Sequence, residues 1–256
     1  MGWWGKLIGS GFGFMLGGPL GALAGAALGH QLDKGLDTAR LALGDTERTQ
    51  LAFFTASFSL MGYLAKVDGH VSRSEIQMAE NIMAQMNLNT EQRKTAIDLF
   101  NSGKQDDFPL EDVLLQFKQE CHRRTHLLQM FLEILIATAF ADNQLDKTEH
   151  TALQHIAKAI GFSSAQLEQL IDMTRAHYQQ ASNPAQSSLS QAYAMLGTSP
   201  DTSDKELKKT YRRLMSQHHP DKLVAKGLPE EMIQLANQKT SEIKSAYEQI
   251  RESRGR

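Results

Sequence analysis

The sequence predicts an all-α protein with a single N-terminal transmembrane helix, a helical middle domain and a C-terminal helical hairpin. Three observations carry this. A stretch without any charge runs from Leu7 to Gly29, and a glycine falls at every fourth position from Gly5 through Gly9, Gly13, Gly17, Gly21, Gly25 and Gly29. Beyond it, apolar residues recur three and four apart while strand-like alternation is nearly absent. Near the C-terminus an amphipathic helix is stopped by His219-Pro220-Asp221, because proline lacks an amide proton and pushes the residue before it out of the helical region.

The uncharged run reaches about 35 Å as a helix, enough for a hydrocarbon core of about 30 Å. Glycine costs about 1 kcal/mol in a helix exposed to water. In lipid, however, the backbone must satisfy its own amides, and small residues four apart become a groove for a second helix. Gly9, Gly13, Gly17, Gly21 and Gly25 are therefore expected to form a homodimer interface. A four-residue step drifts about 40° on a straight helix, so only two or three glycines on either side of Pro19 share one crossing. A cleaved signal peptide fits poorly, since the run passes through Ala22 to Ala27 with no polar exit region. A re-entrant hairpin breaking at Gly17, Gly18 and Pro19 stays open as an alternative.

Trp3 and Trp4 stand as interfacial anchors, and Lys34, Arg40 and Arg48 follow the span against the single Lys6 before it. The positive-inside rule then gives a periplasmic segment at 1–6, a span at 7–29, a juxtamembrane segment at 30–49 and a cytoplasmic bulk. The formal charge of the 256-residue chain is only −2, which gives no reason to expect a nucleic-acid partner. Cys121 is the only cysteine, so an intrachain disulfide and a four-cysteine zinc module are both excluded.

Helices are predicted near 47–66, 73–86, 90–102, 110–140, 147–160 and 164–178. Cys121, His122 and His126 fall inside the long 110–140 helix and read as surface and core residues rather than metal ligands. Two stretches, YLAKVDGHVSRSEIQMAENIM and ATAFADNQLDKTEHTALQHIA, repeat one pattern: Asp68 precedes Glu75 by seven residues as Asp142 precedes Glu149. Turn and capping chemistry explains each copy, with Ser72 and Asp146 as N-caps and Glu75 and Glu149 returning the bond of a capping box. The alternative is that these four carboxylates converge on a divalent cation. Residues 50–178 resemble the TerB-like helical domain of tellurite-resistance type. The resemblance implies metal association through Asp68, Glu75, Asp142 and Glu149, and its rival function would be a metal-responsive stress protein.

A Gln-, Ser- and Asn-rich linker is expected at 179–188, followed by a compact module at 189–256. In SDKELKKTYRRLMSQH, Leu207, Tyr211, Leu214 and His218 share one face and Lys205, Lys209 and Arg212 the opposite one. A loop through Lys222, Lys226 and Gly227 leads to a third helix opened by Pro229, Glu230 and Glu231, with Ala236, Thr240, Ile243, Tyr247 and Ile250 facing back. The loop of about ten residues is too long for a DNA-reading helix-turn-helix. No nucleophile is paired with a base, so no enzyme and no cofactor are expected.

LSQAYAMLG, ELKKTYRRLMSQHHPDK and EIKSAYEQI resemble the first three helices of the J-domain. The resemblance implies stimulation of ATP hydrolysis by a DnaK-type chaperone, with His219, Pro220 and Asp221 engaging it and Lys208, Tyr211, Arg212, Arg213 and Lys222 forming the docking face. Neither the glycine-phenylalanine segment nor the cysteine-rich zinc region of larger J-proteins is present. Anchor, TerB-like domain and J-domain together resemble the bacterial inner-membrane J-domain co-chaperones. That likeness implies links to envelope-stress signalling and capsule synthesis, and a membrane-associated client or signalling partner that the residues do not identify.

Overall fold

In the computed structural model the described residues are 17–28, 44–69, 73–86, 88–141, 144–182 and 189–255, and every regular element among them is helical. Twelve α-helices follow in order: α1 (Gly18–Leu28), α2 (Asp45–Lys66), α3 (Arg73–Gln85), α4 (Thr90–Gly103), α5 (Leu110–Glu120), α6 (Thr125–Ala139), α7 (Lys147–Ile160), α8 (Ser164–Ser182), α9 (Leu189–Met195), α10 (Asp204–His218), α11 (Pro220–Val224) and α12 (Ile233–Ser253). A 3₁₀ turn at Glu230–Met232 leads into α12.

The middle domain is built around α2, which is buried along nearly its whole length. Phe53 of α2, Phe117 of α5 and Phe131 of α6 form its aromatic centre, with ring centroids 6.2, 6.0 and 4.3 Å apart. Such tilted and edge-on contacts suit the ring quadrupole. The predicted 110–140 helix is two helices. The chain breaks at Cys121–Arg124, where Arg123 takes a φ of 62° and the amide of Arg124 bonds the Cys121 carbonyl at 3.1 Å. Cys121 is fully buried at that corner, while His122 is exposed. The predicted cap of α7 is present: the Asp146 carboxylate accepts from the Glu149 amide at 2.9 Å, and Glu149 accepts from the Asp146 amide at 3.1 Å.

Of the predicted span, only Gly17 to Leu28 lies among the described residues, and the contribution of Gly9 and Gly13 lies outside them. Among the described residues no helix is long and apolar enough to cross a membrane. The backbone takes positive φ at Gly17 and Gly18, where the re-entrant alternative puts its break, and Pro19 then occupies the first turn of α1. That position has no intrahelical use for the missing amide. The Gln116 side chain of α5 accepts from the Leu20 amide at 2.9 Å and donates to the Gly17 carbonyl at 2.8 Å. Leu20, Gly21 and Ala24 are buried and Gly25 half-buried, because this face of α1 packs against α4 and α5.

α8 continues four residues past the predicted start of the linker, and residues 183–188 lie outside the described set. The C-terminal module has its own core of Ala192, Tyr193, Leu196, Leu207, Leu214, Ile243, Ala246 and Ile250, to which α8 contributes Met173. Tyr211 and Tyr247 stack across the α10/α12 hairpin at 4.1 Å. Arg254, just past α12, closes the module by donating to the Tyr193 hydroxyl, the Thr202 carbonyl and Asp204 at 2.8, 2.9 and 2.6 Å.

Candidate partner-docking site

His219-Pro220-Asp221 forms the corner between α10 and α11. His219 ends α10 with an extended backbone (φ −61°, ψ 123°), and its carbonyl accepts from the amides of Lys222 and Leu223, both at 3.1 Å. Pro220 is the first residue of α11, so the stop expected at His219 is also a start. The predicted loop therefore contains a helix of five residues, capped by Ala225 and followed by Gly227 at φ 96°.

The corner points its chemistry outward. The His219 side chain is 47% exposed and that of Asp221 89%, with His219 Nδ1 3.9 Å from the Asp221 carboxylate. Lys208, Arg212, Arg213 and Lys222 are exposed on the same module. Tyr211 is half-buried, its ring held against Tyr247. Lys222 Nζ donates to Ser216 Oγ at 2.6 Å, which ties the corner back to the last turn of α10. The structure thus brings the eight predicted docking residues onto one module with the tripeptide at its tip.

His218 has the opposite placement. It is 2% exposed, and its Nδ1 donates to the Leu214 carbonyl at 3.0 Å. Its Nε2 lies 2.9 and 3.0 Å from the two carboxylate oxygens of Glu133 on α6, 85 positions earlier in the chain. A carbonyl and an ionised carboxylate only accept, so the imidazole is the donor in each contact. Lys239 of α12 approaches the same carboxylate at 3.6 Å, and Gln129 donates to it at 2.8 Å. Burial pushes the Glu133 carboxyl up, but the charges of His218 and Lys239 and the bonds from His218 and Gln129 outweigh it and hold the group at about 2.

The sign of this shift sets a pH window. A carboxyl with a folded value near 2 against an ordinary 4.5 contributes stability that is present above 4.5 and lost as pH falls toward 2. The contribution is about 3 kcal/mol by the usual conversion of roughly 1.4 kcal/mol per unit. Chemical unfolding of the full chain in detergent should lose stability across that window, and Glu133→Gln should flatten the loss. An equally steep acid limb in the variant would show that Glu133 is not its source.

Further contacts join the two domains beside the tripeptide. Leu223, Leu228, Met232 and Ala236 are fully buried as part of the middle domain's apolar cluster. Gln50 of α2 donates to the Leu228 carbonyl at 3.4 Å, and Gln92 of α4 donates to Glu231 at 2.7 Å. Lys226 Nζ lies 3.1 Å from His126 Nδ1. Burial first, and then the positive charge of Lys226, His218 and Lys222, keeps the His126 imidazole below its ordinary value. Sequence reasoning missed this interface because its members come from α2, α4, α6 and a segment that reads as a polar loop.

The acidic residues of the middle domain do not form a metal site among the described residues, where no group of three His, Cys, Asp or Glu side chains is close enough to hold an ion. Asp68 is exposed and Glu149 buried in its capping box, while Asp142 and the side chain of Glu75 lie outside the described residues.

Three family models match the chain: "Co-chaperone DjlA transmembrane domain" over residues 1–39, "Tellurite resistance protein TerB" over 54–172 and "DnaJ domain" over 191–256. Among curated proteins, the chain is similar to "Co-chaperone protein DjlA" from three bacteria. It is 43% identical to that of Photobacterium profundum, over 98% of this chain and 99% of the other. It is 44% identical to that of Coxiella burnetii over 99% of both, and 38% identical to that of Shigella flexneri over 100% of this chain and 99% of the other. No solved structure matches the chain.

Proposed function

The chain belongs to the DjlA family of membrane-anchored J-domain co-chaperones, and on that premise we propose that it stimulates ATP hydrolysis by a DnaK-type chaperone through His219, Pro220 and Asp221 at the cytoplasmic face of the inner membrane. The observation that carries this reading is the exposure of His219 and Asp221 on a corner whose flanking residues, His218 and Leu223, are buried. The exposed Lys208, Arg212, Arg213 and Lys222 suit an acidic partner surface, for which attraction between opposite charges raises encounter rates and makes affinity salt-sensitive. ATP turnover of a purified DnaK-type chaperone, with and without the full chain in lipid nanodiscs, tests the reading. An unchanged turnover rate rejects it.

The anchor sets where this happens. Lys34, Arg40 and Arg48 after the span support a cytoplasmic bulk, and Arg48 is also built into the middle domain through Glu120 at 2.5 Å. The glycine row supports self-association of two copies, with a division of labour that the sequence alone did not suggest. Gly21 and Gly25 lie on the face of α1 that packs against the middle domain, whereas Gly9 and Gly13 precede the turn at Gly17 and Gly18. Leucine at Gly9 or Gly13 is expected to cut a membrane two-hybrid signal several-fold, because a large side chain keeps the two backbones apart. If both substitutions leave the signal intact, pairing does not run through these glycines.

A further inference from the structure

The tripeptide that defines the J-domain is bracketed by residues that the middle domain holds. His218, directly before it, is pinned to Glu133 of α6. Leu223 and Leu228, just after it, are buried in the middle domain's own core. At Gly227 a Cβ atom would lie 2.7 Å from Thr49 of α2, so the backbone itself is seated on that helix. His219 and Asp221, with Lys222 beside them, stay in solvent between these attachments.

We propose that Glu133 is a positioning residue for the His219-Pro220-Asp221 corner, so that the TerB-like domain sets the competence of the J-domain toward its chaperone partner. This rests on the co-chaperone reading above. The Glu133 carboxylate is one negative charge set between two cations, His218 and Lys239, both of which belong to the J-domain. Replacing it by a neutral amide removes the anion that His218 and Lys239 share, and losing one partner of a buried ion pair is far more costly than the pair was beneficial. The J-domain then lifts from α6, and the segment from Leu223 to Leu228 loses its seat. A corner that has to be ordered at the moment of docking binds more weakly than one already fixed. Coupling therefore runs from the middle domain to the tripeptide through a contact that touches no partner.

The test uses the full chain in nanodiscs carrying His126→Cys and Lys226→Cys, two positions that face each other across the interface. Cys121 does not interfere, being fully buried with a thiol pushed far up by that burial. A short bismaleimide reports docking by the yield of the intramolecular bridge, and ATP turnover of a purified DnaK-type chaperone reports function. Glu133→Gln is expected to lower bridge yield several-fold and to raise the concentration for half-maximal stimulation about tenfold. Adding His218→Gln should change neither further, and closing the bridge in the Glu133→Gln chain should restore stimulation. A merely stabilising role would not be rescued by a tether at the other side of the interface. The proposal is overturned if Glu133→Gln leaves bridge yield or stimulation unmoved, or if the bridge forms without restoring activity. Absence of stimulation by the unsubstituted chain overturns the co-chaperone reading, and this proposal with it. Stimulation that Glu133→Gln fails to alter overturns this proposal alone.

Discussion

Replacing His219 by glutamine in the full chain should return the ATP turnover of a DnaK-type chaperone to its unstimulated rate, while leaving the unfolding midpoint of the chain within a degree or two of its original value. Both halves follow from where the side chain sits. Its ring is nearly half exposed and makes no hydrogen bond among the described residues, with only the Asp221 carboxylate near at 3.9 Å. The structural work at this position is done by the backbone: the His219 carbonyl accepts the amides that open α11, and any residue supplies it. His219 caps α11 without a side-chain bond, so exchanging its exposed ring is expected to change stability by roughly 0.5 kcal/mol or less, as for surface substitutions that remove no cap, core or buried-charge contact. A loss of stimulation with an intact fold therefore isolates the ring as a contact with the partner. Stimulation that survives the change, measured at saturating chain, removes His219 from the docking site. A midpoint that drops with it would mean that the loss reports unfolding. His218 offers the contrast: identical in chemistry and adjacent in sequence, it is committed to Glu133 and buried.

This difference between two neighbouring histidines marks how far the sequence could be read. Helical periodicity placed His218 on the face with Leu207 and Leu214, and the structure buries all three. The proline placed His219 outside the helix, where it is. Local rules of this kind act over three or four residues, and they also located the Asp146 to Glu149 capping box. They do not reach Glu133, because nothing in a run of LLQMFLEILIATAF tells a buried charged glutamate from a solvated one until its partner arrives from 85 positions away. The same holds for the corner at Cys121–Arg124. FKQECHRRTHLLQ contains no glycine or proline, so the periodicity reads straight through, yet Arg123 takes the positive φ that usually marks a glycine. Leu223 and Leu228 were legible only as scattered apolar residues in a loop, and Met232 only as one apolar residue near the start of the third helix, since their burial depends on a surface that another domain provides. The exposed corner and its basic neighbours were thus readable from the module that carries them, and the interface that holds the corner was not.

Alanine at Gly62 or Gly103 should destabilise the middle domain by about 3 kcal/mol or more, the upper end of what overpacking a close-packed core costs. Helix propensity alone predicts the reverse, because alanine is favoured over glycine within a helix by about 1 kcal/mol. Geometry decides between them. A Cβ at Gly62 would stand 1.9 Å from the Phe100 carbonyl oxygen, and one at Gly103 would stand 1.8 Å from the Ser59 carbonyl oxygen. The obstructing atoms are backbone, which no rotamer change can clear, so α2 and α4 must separate and open the contacts around them. Two glycines facing each other's helices let the backbones touch, the same device by which small residues four apart let helices approach in lipid. The consequence extends beyond stability, since α2 carries Gln50 and Thr49 and α4 carries Gln92, three of the residues on which the J-domain corner rests. Urea unfolding of the full chain in detergent measures the effect. A raised midpoint in Gly62→Ala would mean that propensity governs there and that the two helices do not cross in backbone contact. A lowered midpoint, accompanied by a reduced His126→Cys to Lys226→Cys bridge yield, would show that the crossing of α2 and α4 sets the seat of the tripeptide.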